Sequence, residues 1–404
     1  MNIALIHYTS PPVVGGVESV LGHQARLMAD AGYQVSILAG RGAQLDVRIP
    51  FVQIPLADSR HPDILAVKAV LDAGFLPKQF AVLVKKLKDI LHKELVDTDV
   101  LIAHNICSLG KNLPLTAAIK ELSENPGSPR LILWHHDLAW TTPRYRAELH
   151  EGYPWDLLST AWPGSTQVVV SELRRKELAK LQGVSLEEIT VIPNGVDLPK
   201  FLKLDPNTIQ FVKHLELQHA APILLLPVRI TPRKNIEMAL QVLAALREKF
   251  PQAALVVTGP LGAHNPANVK YYQSLVALRE ELGLTRVVHF LAEMTDEYLP
   301  DSVIADFYRV ADALFLPSRE EGFGIPILEA GLAGLPIFCS DISPLRALGG
   351  DSVTYFSYSA DPSGIAMLIF DRLSQNPIFN LRVRVRQKFT WEGVFDEFIL
   401  PLLG

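Results

Sequence analysis

The residues Pro317-Ser318-Arg319-Glu320-Glu321-Gly322-Phe323-Gly324-Ile325-Pro326-Ile327-Leu328-Glu329-Ala330 are the strongest chemical signal in this 404-residue chain. A Gly-Phe-Gly loop exposes backbone amides, and Pro326 suits the first turn of a following helix. Glu321 then stands before that helix and Glu329 one turn inside it. Two carboxylates so spaced can grip different parts of one polyhydroxylated ligand, through charge-assisted bonds about twice as strong as neutral ones. The plainer reading is that Glu320, Glu321 and Glu329 only favour the helix N-terminus electrostatically. That accounts for Glu321 but poorly for Glu329, a charge in an otherwise apolar helix, which needs a partner.

Three further clusters have the types and spacing for ligand chemistry. In Ser10-Pro11-Pro12-Val13-Val14-Gly15-Gly16-Val17-Glu18 the paired glycines let backbone approach a ligand, and free amides at a helix start attract an anion. The pattern is not GxGxxG, so no dinucleotide site is indicated, and the glycines can equally serve a turn alone. Arg229, Arg233 and Lys234 cluster before a helix start, where Arg offers a bidentate fork and Lys a point charge to a diphosphate. The same trio can also be a solvated surface group. Trp134-His135-His136-Asp137 ends a strand. Adjacent strand residues point to opposite faces, so at most one of His135 and His136 enters a site, and the pair is badly placed to chelate one metal ion. His104-Asn105, ending another strand, reads as a satisfied structural pair.

Each cluster sits where a short apolar run gives way to a segment of helical period. Strands are expected at 3–7, 34–38, 100–103, 131–134, 167–170 and 190–192, then at 223–228, 254–258, 287–290, 313–316, 336–339 and 353–356. Helices are expected between them, for instance at 17–31, 79–95, 236–249, 271–282 and 326–333. Continuous apolar runs separated by helices indicate parallel strands buried on both faces, hence an α/β fold. Six units on each side of residue 200 are too many for one ordinary sheet, so two doubly wound domains are expected. The boundary is expected within 199–221, giving domains 1–200 and 201–385. The tail 386–404, with an apolar helical stripe at 391, 394, 395, 398, 399 and 402, is expected to pack back toward the N-terminal domain.

Composition narrows the function. Hydrophobic residues make up 49% and charged residues 20%, enough for sizeable cores and too apolar for disorder. Lys+Arg 38 against Asp+Glu 43 gives −5, so there is no global basic footprint for nucleic acid. Cys107 and Cys339 alone make neither a disulfide scaffold nor a cysteine zinc site. The opening residues run directly into a strand with no signal-peptide pattern, and no apolar run approaches a membrane span, so a cytoplasmic protein is expected. Peripheral membrane contact stays open.

The run "PSREEGFGIPILEAGLAGLPIFCSD" resembles the Glu-x7-Glu region of the retaining glycosyltransferases of glycosyltransferase family 4, which have the GT-B fold. "GGVE", "HD" at 136–137, "VVSELRRKEL", "VIPNGVD", "PVRITPRKN", "VVTGP" and "DFYRVADALFLPS" follow the family's order over nearly the whole chain. The resemblance implies two Rossmann-like domains facing across a cleft, the first holding the acceptor and the second a nucleotide-sugar donor. Arg229 and Lys234 match the diphosphate pair, and Glu329 the glutamate on the nucleotide ribose. Glu321 with the amides of Gly322, Phe323, Gly324 and Ile325 matches the loop on the donor sugar and distal phosphate. Gly259 and Gly16 belong to the donor side. His136, or His135 if the register slips, matches the histidine near the anomeric centre, and Asp137 stands with His135 on the acceptor side. His136, Arg229, Lys234 and Glu321 are thus the implied catalytic groups.

The implied reaction moves a hexosyl group, with retention, to a hydroxyl of a glycan or small polar acceptor. The donor phosphate takes the acceptor's proton, and neither cofactor nor metal is required. Two departures stand out. Pro344-Leu345-Arg346 replaces a frequent "LPE", and the segment 260–273 is longer than the minimal pattern. A nucleotide-sugar epimerase or hydrolase, with His136 and Asp137 as acid and base, is the alternative enzyme. A non-catalytic sugar-binding protein is the alternative outside enzymes. Sugar, base and acceptor are not legible in the sequence.

Overall fold

The computed structural model describes residues 1–261, 266–295 and 298–404, which fall into two compact units. The first unit comprises Met1–Gly195 and Trp391–Gly404, the second Val196–Thr390.

The first unit is built on strands β1 (Asn2–Thr9), β2 (Gln34–Arg41), β3 (Phe51–Gln53), β4 (Val100–His104), β5 (Arg130–His135), β6 (Thr166–Val169) and β7 (Ile189–Val191). They form one parallel sheet in the order β3-β2-β1-β4-β5-β6-β7. β1 is buried from Ile3 to Thr9 and all of β4 is buried, as strands covered by helices on both faces must be. The order reverses between β1 and β4, where connections leave toward opposite sides and open a crevice beyond the carboxyl ends. The register sets Ile6 beside Ala103, and His104 beside Trp134, so the carboxyl-terminal stretches of β1, β4 and β5 lie side by side.

The second unit carries β8 (Ile223–Leu226), β9 (Ala254–Val257), β10 (Val288–Phe290), β11 (Ala313–Leu316), β12 (Ile337–Ser340) and β13 (Thr354–Phe356). Their order is β10-β9-β8-β11-β12-β13, parallel throughout, reversing between β8 and β11. Below the sheet, buried Asp312 accepts from the Ile223 amide at 2.8 Å and from the Arg386 guanidinium at 2.6 and 3.0 Å. That pairing ties the helix Pro377–Lys388 to the strand starts.

Three expectations change. β3, Phe51-Val52-Gln53, is an additional strand at the sheet edge, three residues long and partly exposed, too short to stand out as an apolar run. The tract 199–221 is not a bare connection. The division falls just before it, and it folds as the helices Leu198–Leu202 and Pro206–His214, the latter tied through Thr208 and the Asp205 amide to buried Asp306. The tail is helical but not uniformly α: Trp391–Val394 passes into a π turn, Phe395–Ile399, before Leu400–Leu403. Pro401 has no amide for the carbonyl of Glu397, and the winding widens at that place. Trp391, Val394, Phe395, Ile399 and Leu403 enter the core of the first unit beside Ile3, Leu5 and Trp134. Part of the segment 260–273 lies outside the described residues. Its later portion begins the helix Pro266–Glu281.

Candidate active site

In the second unit, β8 runs through buried Val228 to Arg229, which is exposed and has no hydrogen bond or ion pair among the described residues. The chain then makes the short turn Pro232–Lys234, and Asn235 takes a left-handed φ of 54° before the helix Ile236–Leu246. This turn directs Lys234 inward. Its Nζ donates to Glu321 Oε1 at 2.5 Å, and the two side chains are only 9% and 7% exposed. Ser318 donates to the same oxygen at 2.7 Å, while Arg233 lies 3.8 Å from the other. Burial pulls the Lys234 ammonium below the ordinary lysine range, against the opposing pull of Glu321. Lys234 and Glu321 therefore form a buried ion pair.

After β11 the loop rises through Gly322 and exposed Phe323 to Gly324, whose φ of 109° favours glycine. A Cβ there would also stand 2.6 Å from the Leu345 side chain. The helix Ile325–Leu332 follows with Pro326 in its first turn. Glu329 finds the partner its apolar surroundings demand, accepting from the Tyr308 hydroxyl at 2.5 Å. Burial first, and this bond second, push the Tyr308 phenol well above its usual range. Gly259, after β9, has a packing reason of its own: a Cβ would lie 1.9 Å from the Val228 carbonyl oxygen.

A cavity of about 540 Å³ opens at these strand ends. Arg229, Gly259, Ile325 and Glu329 line it, and an apolar wall is formed by Leu261, Leu291, Ala292 and Leu299. Lys234, Glu321, Gly322, Phe323 and Gly324 are not on its surface. Tyr308 was not singled out in the sequence. Its position in the amphipathic helix Asp301–Val310, opposite a lone glutamate, gives no local signal.

In the first unit the helix Gly16–Asp30 begins at Gly15 without a side-chain cap. Space is open around Gly16, but a Cβ on Gly15 would meet the Glu18 carboxylate at 2.0 Å. Thr9 Oγ1 donates to Glu18 at 2.5 Å. The negative group beside these amides is thus the chain's own Glu18.

The ends of β1, β4 and β5 gather histidines. His7 Nδ1 donates to the His104 carbonyl at 2.7 Å, and His104 Nδ1 lies 3.2 Å from His136 Nε2. Asn105, left-handed with φ 56°, accepts through Oδ1 from the amides of His136 and Asp137 at 2.7 and 3.1 Å. That side chain shapes the turn after β5. Asp137 makes loose ion pairs with Arg174 at 3.5 Å and Arg144 at 3.7 Å. His135 is not on the acceptor side: it is 2% exposed, and its Nε2 donates to Gln167 at 2.8 Å inside the sheet. His136 is the half-buried, accessible member of the pair. Burial pulls His7 and His135 down to about 4 and His136 to about 3, with His104 well below its ordinary value. All four rings are neutral at pH 7. Among the described residues no group of three His, Cys, Asp or Glu could hold a metal ion.

Two doubly wound parallel α/β units are the architecture of the GT-B class of glycosyltransferases. The family profile described as Glycosyltransferase Family 4 matches residues 14–200, and that described as Glycosyl transferases group 1 matches 208–388. The chain belongs to this family and is a glycosyltransferase. A mannosylglucosylglycerate synthase of Petrotoga mobilis is 27% identical over 421 residues, covering 96% of this chain and 93% of the relative. A D-inositol 3-phosphate glycosyltransferase of Frankia alni is 30% identical over 227 residues, 54% of this chain and 53% of the relative. Among solved structures, Anabaena HepE in complex with UDP and glucose aligns at 17% identity and TM-score 0.37, covering 100% and 99% of the two chains. No helix among the described residues is long and apolar enough to cross a membrane.

Proposed function

We propose that this glycosyltransferase moves a hexosyl group from a nucleoside-diphosphate sugar to a hydroxyl of a small polar or glycan acceptor, with retention and without a metal. The observation that carries this reading is the second-unit cavity, lined at once by the Arg229 guanidinium, the Glu329 carboxylate and the close-packed backbone of Gly259. Arg229 neutralises the departing diphosphate, Glu329 takes the ribose hydroxyls, and the apolar wall by Leu291 and Leu299 receives the base. A preorganised cation acts on charge as it develops, the term that is commonly largest in such reactions. Lys234 contributes mainly through its pair with Glu321, which braces the Gly322–Gly324 loop near the transferred sugar. In the first unit, neutral His136 and Asp137 serve substrate hydroxyls by hydrogen bonding. Relatives named for mannosylglucosylglycerate and D-inositol 3-phosphate favour a small, acidic polyol as acceptor.

Calorimetry with UDP, GDP and ADP, followed by transfer assays with the corresponding sugars, tests the donor. Binding of one diphosphate and an unchanged anomeric configuration by proton NMR, with full turnover in EDTA, are the expected results. Loss of turnover in EDTA, restored by a divalent ion, would overturn the metal-free part, and an inverted product would overturn retention.

A further inference from the structure

His104 lies at the end of β4, 0% exposed, stacked on Trp134 with ring centroids 5.5 Å apart. Its two ring nitrogens have different surroundings. Nδ1 faces His136 Nε2 at 3.2 Å, while Nε2 is buried and has no partner among the described residues. With both rings neutral, one proton lies between them, and two arrangements are conceivable. If His136 donated, the proton of His104 would sit on Nε2 and become a buried N–H with nothing to accept it. If His104 donates from Nδ1, the lone Nε2 is only a bare acceptor. Orphaned buried N–H groups are rarer in folded proteins than under-used acceptors.

The neighbouring ring shows the same economy. His135 donates from Nε2 to Gln167 Oε1, an oxygen whose identity is fixed because the amide nitrogen of Gln167 donates to Ser165 Oγ at 2.9 Å. His135 Nδ1 is then the bare, buried, unpartnered atom. Both buried imidazoles thus leave a lone pair, not an N–H, in the apolar interior.

We propose that His104 is a positioning residue that fixes the tautomer of His136, holding its Nε2 as an acceptor and its proton on Nδ1. His136 thereby presents an N–H outward from the end of β5 and acts as a hydrogen-bond donor to a substrate oxygen. It does not act as a general base, because its basic nitrogen is occupied by His104. His7 extends the arrangement: its Nδ1–H bond to the His104 carbonyl anchors the backbone that carries the ring. This agrees with a reaction in which the donor phosphate, not a side chain, takes the acceptor's proton. The consequence for transfer rests on the function proposed above, whereas the tautomer does not.

Two-bond proton–nitrogen correlation spectra of the full chain with 15N-histidine read the tautomer directly, without substrate. In the native protein His136 should show a protonated Nδ1 and a bare Nε2. In His104→Phe it should redistribute toward Nε2–H, and His104→Asn, whose amide N–H can replace Nδ1–H, should restore the native pattern. With whichever of the UDP-, GDP- and ADP-sugars is turned over, His104→Phe should lower kcat about five- to tenfold, the scale of one lost hydrogen bond, with donor KM nearly unchanged. His104→Asn should recover most of it. A native His136 with its proton on Nε2 overturns the proposal even if no variant folds, and so does an Nδ1–H tautomer that survives in folded His104→Phe. If the native protein shows His136 with its proton on Nδ1 and His136→Ala is nonetheless fully active, the tautomer assignment stands and only the role given to His136 in transfer is defeated.

Discussion

At the carboxyl ends of β1, β4 and β5 the first unit collects imidazoles that burial keeps neutral, while at the ends of β8, β9 and β11 the second collects full charges. The folds are alike, and each site lies at a sheet reversal, so topology does not explain the difference. The chemistry each end can serve does. A leaving diphosphate needs a positive charge with a bidentate fork of donors, which the guanidinium of exposed Arg229 offers. A hydroxyl needs a donor or acceptor of fixed direction, which a neutral imidazole supplies. Even within the second unit two nearby cations divide the work: Arg229 has no hydrogen bond or ion pair among the described residues, and Lys234 is committed to Glu321.

The sharpest way to separate the two ends is acid. Buried His7, His135 and His136 hold fewer protons folded than unfolded below pH 6.5, so their stabilisation is complete above about 6.5 and is lost as pH falls toward about 4 and 3. Each ring costs about 1.4 kcal/mol per pH unit in that window. Among the described histidines of the second unit, His289 alone is held down, to about 4. All 5 tryptophans lie in the first unit, so their emission reports it alone. It should shift cooperatively between pH 6 and 4, and a flat emission across that range would remove the contrast.

The next effect separates the two cations. Lys234→Ala strands the buried Glu321 carboxylate and should cost about 3–5 kcal/mol in urea unfolding. Pairing it with Glu321→Gln should return much of that. Arg229→Ala, at an exposed site, should stay within about 0.5 kcal/mol of the parent yet slow transfer roughly 100-fold. Equal melting of the two single variants would dissolve the distinction. Smaller changes test the carboxylate. Glu329→Ala should weaken nucleoside-diphosphate binding on the order of 10–150-fold, the worth of a charged hydrogen bond. Tyr308→Phe should cost about fivefold, since only an orienting neutral bond is lost. Calorimetric affinities in the reverse order would mean that Tyr308, not Glu329, meets the nucleotide.

Much of this was legible in the chain because buried parallel strands must be continuously apolar, and those runs mark the strands that carry the sites. Glu329 announced a missing partner by its apolar neighbours, although Tyr308, 21 residues earlier, could not be named. Glu321 was readable only as a charge before a helix. Its pairing with Lys234, 87 residues away, depends on the sheet bringing two strand ends together. Likewise strand alternation indicated that only one of His135 and His136 could face out, but the choice between them needed Gln167 and His104. β3 and the helices between 198 and 214 escaped because short, half-exposed elements carry too few periods to read.

The return of Trp391–Gly404 to the first unit makes the second unit an insertion within it. Gly195 has no room for a side chain because Trp391 stands against it, and Arg130 donates at 3.1 and 3.0 Å to the carbonyls of Leu402 and Leu403. A ribosome therefore delivers the first residues of this unit early and its closing helix last. Until then Ile3, Leu5 and Trp134 lack their cover, while Val196–Thr390 is already available to fold. The domain begun first is finished last, and a chain cut short at residue 390 would hold a complete second unit and an open, chaperone-accessible first one.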